Sequence, residues 1–170
     1  MFEAPPKAFQ GLTFWNGSQQ DIHKDTAYVK IDSNPMNLAA SWLALEDISV
    51  GTGEREYYVG SHRAPDFLFG GTSKWMESHG AEHPKFLASL HEDAATYGHA
   101  RKSFIAKAGD ILIWHADLAH GGSKILNPSL TRKSLVTHFC PVQDEPFYRR
   151  TANFPSLTIG GVEFISHMGL

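Results

Sequence analysis

The 170-residue sequence predicts a single domain, residues 1–170, with a mainly β fold of the sandwich or jelly-roll type. Short segments rich in apolar and β-branched residues recur along the chain, separated by turns that contain Gly, Pro or Asn. One segment alone has the periodicity of an amphipathic helix. Strands and helices do not alternate regularly, so a doubly wound parallel sheet is not expected. A chain of this length can bury one sizeable core but not two.

Three strands are predicted before the helical segment. Thr26–Asp32 alternates apolar and polar side chains, as a half-buried strand does. Leu38–Leu45 has a composition that suits a helix or a strand, and its length and flanking turns favour a buried strand. Glu56–Val59 is a shorter strand that leads into the turn Gly60–His62.

A helical insert is predicted between about residues 71 and 99. The segment Pro84–Tyr97 begins with Pro and is followed by Gly98, which are typical residues at the two ends of a helix. Its apolar residues recur at helical spacing: Phe86, Leu87, Leu90, Ala94 and Tyr97. A single short helix inside a β fold follows from this pattern.

The β pattern returns after the insert. Three further strands are predicted, with a turn at Ala108–Asp110 between the first two. The tail Thr158–Leu170 contains a Gly pair but indicates no clear element. The predicted strands are Ser103–Lys107, Ile111–Trp114 and Ser134–Cys140.

Composition and charge exclude several classes of partner. The net charge of −3 and the scattered Lys and Arg residues give no basic surface for nucleic acid or anionic membrane. No stretch approaches the roughly 20 apolar residues that span a bilayer. Cys140 is the only cysteine, and the N-terminus lacks the pattern of a secretory signal. We therefore expect a soluble, cytoplasmic protein.

A His-x-Asp motif and a distant histidine predict a metal site. Side chains two residues apart on an extended chain point the same way, so His23 and Asp25 can face one ion. The third ligand is expected after the strand 111–114, where His115 and His120 are both candidates. Two imidazoles and one carboxylate leave other coordination positions open, which suits iron(II) in oxygenases. The Gly121–Gly122 pair allows a close backbone approach beside His120.

Arg132 adds a candidate binding residue for a carboxylate. A guanidinium near an open metal site can hold a carboxylate through two parallel hydrogen bonds. Each of these features also has an ordinary structural explanation, because His-x-Asp arises by chance and most arginines are exposed surface residues. Their joint order along the chain is what indicates a metal-dependent enzyme.

The sequence resembles the phytanoyl-CoA dioxygenase family from about residue 19 to residue 141. The motifs that carry the resemblance are QDIHKD at 20–25, SWLALE at 41–46, YVGSH at 58–62, AGDILIWHADLAHGGS at 108–123 and TRKSLVTH at 131–138. The resemblance implies a double-stranded β-helix, which is a cupin-like jelly roll. It also implies an enzyme that uses iron(II), 2-oxoglutarate and O2 to hydroxylate small molecules or acyl thioesters.

The resemblance assigns roles to individual residues. His115 and His138 are not ligands under this assignment, and each is expected to support the site or to pack. The carboxylate of Asp25 implies hydroxylation, because halogenating relatives have a small residue at this position. The matched residues are His23, Asp25 and His120 for the metal, and Arg132, Trp42 and Ser123 for 2-oxoglutarate.

The short N-terminal part departs from the family pattern. Only 22 residues precede His23, so strands that flank the core sheet in the family are expected to be absent. An unpaired sheet edge would then be open to a second copy, which predicts a homodimer. A non-catalytic or truncated metal-binding jelly roll is one alternative, and a cupin-like metalloenzyme that does not use 2-oxoglutarate is another.

The sequence does not identify the substrate. The helix Pro84–Tyr97 and the loop Arg63–Trp75 are candidate lids over the site. Phe67, Phe69 and Trp75 could line an apolar pocket, but packing is the more common role of such residues.

Overall fold

The computed structural model describes residues 2–147 and 155–165. These residues form nine strands, one α-helix and three short 3-10 helices. No helix among them is both long and apolar enough to cross a bilayer. The elements are β1 Pro6–Phe14, β2 Ala39–Ala44, β3 Arg55–Tyr58, α1 His83–Tyr97, β4 Arg101–Phe104, β5 Ile111–His115, β6 His120–Gly122, β7 Ser134–Pro141, β8 Ser156–Ile159 and β9 Val162–Ile165.

The strands form two sheets, which confirms the prediction of a mainly β jelly roll with a short helical insert. The larger sheet has six strands in the order β5-β2-β7-β1-β9-β8, and the smaller has three in the order β4-β3-β6. All pairings are antiparallel except that of β1 with β9. Trp42 of β2 meets Phe104 of β4 with ring centroids 5.9 Å apart, so the core lies between the sheets.

The core between the sheets is built from inward residues of three neighbouring strands of the larger sheet. Trp42, Trp114 and Val136 are buried together and come from β2, β5 and β7. Their burial follows the period of two that a strand imposes, because β7 alternates buried and half-buried positions along its length. Each fully buried side chain of this size stabilises the fold by about 1.5–3 kcal/mol.

Helix α1 supports the region that carries the candidate metal ligands. It starts with Pro84 in its first turn and ends at Gly98, whose positive φ of 69° favours glycine. Its buried face, Phe86, Leu90 and Ala94, joins a cluster that includes Ile22 and Ala119. Ile22 and Ala119 directly precede His23 and His120, so the helix packs against the backbone that carries both histidines. The prediction of a helix over Pro84–Tyr97 is confirmed.

The predicted strand Thr26–Asp32 is wrong. Asp25–Ala27 forms a 3-10 helix, and the backbone N–H groups of Tyr28 and Val29 both donate to the carbonyl of Asp25. All three residues of this helix are buried, so the apparent alternation of apolar and polar side chains does not separate two faces. Ile31 makes only an isolated bridge to Pro146. The turn ends the extended segment directly after the His-x-Asp motif.

Other predicted strands are confirmed with changed bounds. Leu38–Leu45 is strand β2, and Glu56–Val59 corresponds to β3, which begins one residue earlier. Ser103–Lys107 is shifted, because β4 ends at Phe104 and Ala106 turns into the core. Ile111–Trp114 and Ser134–Cys140 are β5 and β7.

Four strands were not predicted: β1, β6, β8 and β9. β1 lies between β7 and β9, so the short N-terminal part does supply a strand to the larger sheet. In the tail, β8 and β9 form a hairpin at Gly160 and Gly161, which both have positive φ. Residues 166–170 of the tail lie outside the described residues.

Candidate metal centre

His23 and His120 are brought together by a backbone bridge between two distant segments. Their backbone N–H groups donate reciprocally to each other's carbonyls, at N···O distances of 2.8 and 2.9 Å. Lys24 is extended, with φ −112° and ψ 136°, and the N–H of Asp25 donates to the carbonyl of Ala116. These backbone hydrogen bonds fix the relative positions of all three candidate ligands without any contribution from side chains.

The three side chains converge on one point. Their potential ligand atoms all lie within 4.8 Å of one another, and all three residues are buried. Asp25 Oδ1 lies 3.7 Å from His23 Nε2 and 3.5 Å from His120 Nε2. These separations are too long for direct hydrogen bonds and leave room for an ion between the donors.

The imidazoles are oriented for metal binding. His23 Nδ1 lies 2.7 Å from the carbonyl oxygen of Asp21, and His120 Nδ1 lies 2.8 Å from that of Leu118. A carbonyl only accepts hydrogen bonds, so each Nδ1 carries the proton and each Nε2 has a free lone pair. This arrangement is the one by which metal-binding histidines are fixed in a single tautomer.

Burial and mutual charge set the protonation states that a metal requires. Burial lowers the pKa of His23, and it lowers the pKa of His120 to about 3, against the opposing effect of Asp25. Burial by itself would raise the pKa of Asp25, but the imidazoles of His120, His138 and His23 hold it well below its ordinary value. At neutral pH the set therefore offers one carboxylate and neutral imidazoles.

Gly121 explains why a Gly pair follows His120. A Cβ atom at this position would lie 2.7 Å from the carbonyl oxygen of Gln20, which no side chain tolerates. The absence of a side chain lets the segments of His23 and His120 approach closely. The predicted close backbone approach is therefore present at Gly121.

A cavity of about 210 Å³ opens on the three candidate ligands. Its wall combines polar groups near the ligands with apolar side chains from β1 and β7. Besides His23, Asp25 and His120, the lining residues are Gln10, Leu12, Phe14, Gln20, Tyr28, Val29, Arg55, Trp114, Val136 and His138.

Arg132 and Trp42 lie side by side, next to this cavity. Arg132 is fully buried, and its guanidinium carbon lies 5.6 Å from the ring centroids of both Trp42 and Phe14. Phe14 lines the cavity, whereas Arg132 is not among the lining residues. The Nε and Nη1 atoms of Arg132 and the Nε1 atom of Trp42 have no hydrogen-bond partner within the described part of the chain. Both predicted cosubstrate residues thus keep unpaired donors near the metal centre.

Ser123 lies elsewhere. It lines a separate cavity of about 430 Å³ with residues that include Gln19, His91 and Arg101. Its hydroxyl is buried without a hydrogen-bond partner in residues 2–147 and 155–165. The structure does not bring Ser123 to the wall of the metal cavity, and its predicted role in 2-oxoglutarate binding stays a prediction.

The two remaining histidines of the motifs have different surroundings. His138 lies at the cavity wall, with Nε2 3.6 Å from Asp25 Oδ2. His115 is turned away from Asp25, since its Nδ1 accepts a hydrogen bond from the backbone N–H of Asp117 and its ring packs near His62. His120, and not His115, is therefore the histidine that joins His23 and Asp25.

The aromatic residues considered as pocket lining are packing residues. Phe67 and Phe69 each pack against Phe86 of α1, with ring centroids 5.6 and 5.2 Å apart. Trp75 packs against Phe147 at 4.8 Å. None of the three lines the cavity at the metal ligands.

Sequence reasoning missed two residues that contact the centre. Trp114 Nε1 donates a 2.8 Å hydrogen bond to Asp25 Oδ2, although the residue type and strand position suggested only packing. Arg55 lies at the cavity wall with its guanidinium carbon 5.4 Å from the Trp114 ring centroid. Arg55 directly precedes the predicted strand Glu56–Val59, and the sequence carries no signal that its side chain turns toward the candidate ligands.

A buried set of two imidazoles and one carboxylate on a jelly roll is the donor set that holds iron(II) in mononuclear oxygenases. Residues 13–134 match the family model described as phytanoyl-CoA dioxygenase. The chain belongs to the phytanoyl-CoA dioxygenase family. None of the curated proteins matches it by sequence.

Several solved structures share the fold. The non-heme alpha-ketoglutarate-dependent carbocyclase SnoK from nogalamycin biosynthesis is 16% identical with a TM-score of 0.60, over 83% of this chain and 53% of SnoK. The epimerase SnoN, solved with Fe3+, alpha ketoglutarate and nogalamycin RO, is 21% identical with a TM-score of 0.56, over 82% and 52%. EctD from S. alaskensis with bound Fe is 18% identical with a TM-score of 0.55, over 82% and 46%. The chain thus spans about half the length of these proteins.

Proposed function

We propose that this protein is an iron(II)- and 2-oxoglutarate-dependent dioxygenase that hydroxylates a small organic molecule or an acyl thioester. The observation that carries the proposal is the buried convergence of His23, Asp25 and His120, with both Nε2 atoms free to bind a metal. Membership of the phytanoyl-CoA dioxygenase family supports the same chemistry. When bound, iron and 2-oxoglutarate supply the oxidation that places oxygen on the substrate.

The chain's own residues prepare the centre for this reaction. Asp25 supplies the negative charge that offsets part of the metal charge, and its Oδ2 is held by Trp114. The carbonyls of Asp21 and Leu118 keep the two imidazoles in the tautomer that binds a metal. Leu12, Phe14, Val29 and Val136 form the apolar part of the wall and limit the access of water.

The donor set and the buried arginine fit the two groups that the family uses. Two imidazoles and a carboxylate match iron(II), and the unpaired guanidinium of Arg132 matches a carboxylate of 2-oxoglutarate. We expect Arg132→Ala to weaken 2-oxoglutarate binding, whereas a metal site that works without this cosubstrate has no need of Arg132. Unchanged affinity of Arg132→Ala for 2-oxoglutarate would show that Arg132 does not bind this cosubstrate.

The first experiment is the anaerobic addition of iron(II) and then 2-oxoglutarate to the purified protein, followed in the visible spectrum. A lilac charge-transfer band is expected in the wild type. His120→Ala should abolish the band, and His91→Ala, which removes an exposed histidine of α1, should leave it intact. Iron binding without a band would favour the cupin-like alternative, and the absence of iron binding would refute the proposal.

Turnover separates an enzyme from a non-catalytic metal-binding jelly roll. An active protein should convert 2-oxoglutarate to succinate slowly in the presence of iron(II) and O2 even without its substrate. His23→Ala should reduce this conversion to the background of free iron. A wild type that forms the spectroscopic complex but makes no succinate would support the non-catalytic alternative.

We also propose that the protein forms a homodimer through its larger sheet. β5 is the terminal strand of that sheet within the described residues, and its residues Ile111 and Ile113 are more than half exposed. A terminal strand whose outward face is apolar is open to a second copy. Light scattering should report twice the monomer mass, and Ile113→Lys should shift the protein to the monomer. A monomeric wild type would contradict this proposal.

A further inference from the structure

Arg55 is a buried cation at the wall of the metal cavity. The residue is 6% exposed, and its Nε and Nη1 atoms have no hydrogen-bond partner in the described segments. Burial of a guanidinium without partners is costly, so a group that accepts its hydrogen bonds is expected in the complete site. Neither the metal motif nor the resemblance to the family assigns a role to Arg55.

The pairing of β3 with β6 explains how Arg55 reaches the metal ligands. Tyr57 lies opposite His120 and Arg55 lies opposite Gly122, so Arg55 and His120 belong to the same face of the smaller sheet. The guanidinium of Arg55 then stacks over Trp114, whose indole is bonded to Asp25. The cation is therefore beside the ligands and within the same cavity.

Arg55 stays charged in this position. Burial lowers its pKa to about 10, and the nearby carboxylate of Asp25 acts in the opposite direction. A guanidinium with a pKa of about 10 is protonated at neutral pH. Arg55 can consequently act as a donor of two parallel hydrogen bonds to an anion.

Arg132 is the second buried guanidinium, and it occupies a different place. It lies between Trp42 and Phe14, outside the lining of the metal cavity, whereas Arg55 lies within that lining. Burial is the main cause that lowers the pKa of Arg132 to about 10, and the positive charge of Arg55 is the second cause. The two cations are thus near neighbours, one beside the metal ligands and the other farther away.

The buried charges favour a ligand with two negative charges. Glu54, whose Oε2 accepts a hydrogen bond from the N–H of Gly51, offsets one of the two arginines, and Asp25 offsets half of the charge of a divalent metal. The metal, the two arginines and the two carboxylates leave two positive charges in excess. A dicarboxylate neutralises both, which lowers the cost of burying these groups together.

We propose that Arg55 binds the carboxylate of the 2-oxo acid that chelates the metal, while Arg132 binds the carboxylate at the far end. This inference rests on the proposed function and deepens it, because it assigns one guanidinium to each carboxylate of 2-oxoglutarate. The site then selects a 2-oxo dicarboxylate both by its chelating end and by its distal charge.

The test compares two ligands and two variants by anaerobic titration of iron(II)-loaded protein. The ligands are 2-oxoglutarate and 2-oxovalerate, which has the same chelating end and a methyl group in place of the far carboxylate. Arg55→Met and Arg132→Met each remove a charge with little change of length. Lys107→Met removes a cation that is 80% exposed and pairs with Asp47, and it is the control. Affinity is read from the visible charge-transfer band, and Mn²⁺ binding is measured separately.

We expect Arg55→Met to weaken both ligands by the same factor, about ten- to a hundredfold. Arg132→Met should weaken 2-oxoglutarate by a similar factor and leave 2-oxovalerate unchanged. Mn²⁺ should bind Arg55→Met at least as tightly as the wild type, because a nearby positive charge is removed. Arg55→Lys should lose less affinity for both ligands than Arg55→Met, since it keeps the charge.

Three outcomes would overturn the assignment of Arg55. Unchanged affinity of Arg55→Met for both ligands would show that it binds neither carboxylate, and a loss confined to 2-oxoglutarate would place it at the far end. Weakened Mn²⁺ binding in Arg55→Met would show a structural role only. Failure of the wild type to bind any 2-oxo acid would refute the proposed function together with this inference.

Discussion

Trp114 Nε1 donates a 2.8 Å hydrogen bond to Oδ2 of Asp25, and this bond determines which oxygen of the carboxylate faces the two imidazoles. With Oδ2 held by the indole, Oδ1 is the atom that lies 3.7 Å from His23 Nε2 and 3.5 Å from His120 Nε2. A ligand whose second oxygen is fixed in this way loses little rotational freedom when a metal binds.

Trp114→Phe should therefore weaken metal binding without unfolding the protein. The substitution keeps an aromatic ring in the core but removes the only donor of the indole, and loss of such a supporting bond costs about ten- to a hundredfold in metal affinity. Titration with Co²⁺, followed by its visible absorption, measures the effect. Trp15→Phe is the control, because Trp15 is 66% exposed. Equal metal affinity in the wild type and Trp114→Phe would show that the hydrogen bond does not hold the carboxylate.

The candidate ligands could be predicted from the sequence because their order along the chain is itself informative. The order is the His-x-Asp motif, then the strand before His120, then the Gly pair. The structure explains Gly121 by the close approach of the Gln20 backbone. Trp114 and Arg55 could not be predicted in the same way. Their roles depend on where the side chain of a β5 or β3 residue ends in space, which residue type and spacing do not report.

The fold, like the site, could be predicted from the sequence only in part. Regular alternation correctly predicted β7, and end signals at Pro84 and Gly98 correctly predicted α1. Alternation failed at Thr26–Asp32, because tertiary contacts bury every residue of the 3-10 helix there. β1 was missed because its last residues are half-buried or exposed and its apolar pattern is weak, so that its pairing with β7 and β9 determines its structure.

Gly121→Ala should disrupt the metal centre more than its size suggests. The added Cβ would lie 2.7 Å from the carbonyl oxygen of Gln20, which forces apart the segments that carry His23 and His120. We expect weaker Co²⁺ binding, together with a loss of about 1–3 kcal/mol in the free energy of unfolding, as overpacking in a tight site typically causes. Gly11→Ala is the matched control, because a Cβ at Gly11 meets nothing within 4 Å. Similar behaviour of the two variants in urea unfolding would contradict the close approach.

Cys140 should be inert to alkylation while the protein is folded. Burial is the main cause that raises the pKa of its thiol to about 12, and its Sγ donates to the carbonyl of Asp144. Compared with the ordinary value of 9.0, this pKa lowers the thiolate fraction at pH 8 by about a thousandfold. Iodoacetamide should label the thiol in urea but not in buffer, as followed by mass spectrometry. Gln143→Cys in a Cys140→Ser background places the thiol on the surface and should label quickly. Rapid labelling of the folded wild type would contradict the burial of Cys140.

Asp117 should stabilise the fold above its pKa and lose this effect in acid. It accepts hydrogen bonds from Thr26 Oγ1 at 2.7 Å and from Lys74, which also pairs with Asp66. Burial acts to raise the pKa of Asp117, but Lys74 and Thr26 lower it below the ordinary value of 3.8. A depressed pKa means that the unfolded chain binds the proton more tightly, so the stabilisation is complete above about pH 5 and is lost as the pH falls below 3.8.

Asp117→Asn tests this by urea unfolding at pH 7 and at pH 3. At pH 7 the free energy of unfolding of the variant should be lower by about 3 kcal/mol, because the neutral amide removes one negative charge from a buried network. Lys74 keeps Asp66 as a partner. At pH 3 the difference from the wild type should become smaller, since the Asp117 carboxyl of the unfolded wild-type chain then binds a proton more readily than that of the folded chain, which favours unfolding. Asp47→Asn is the control, because the pair of Asp47 with Lys107 is exposed and should contribute nothing measurable at either pH. A difference between the wild type and Asp117→Asn that stays constant from pH 7 to pH 3 would show that the charge of Asp117 is not the source of its effect.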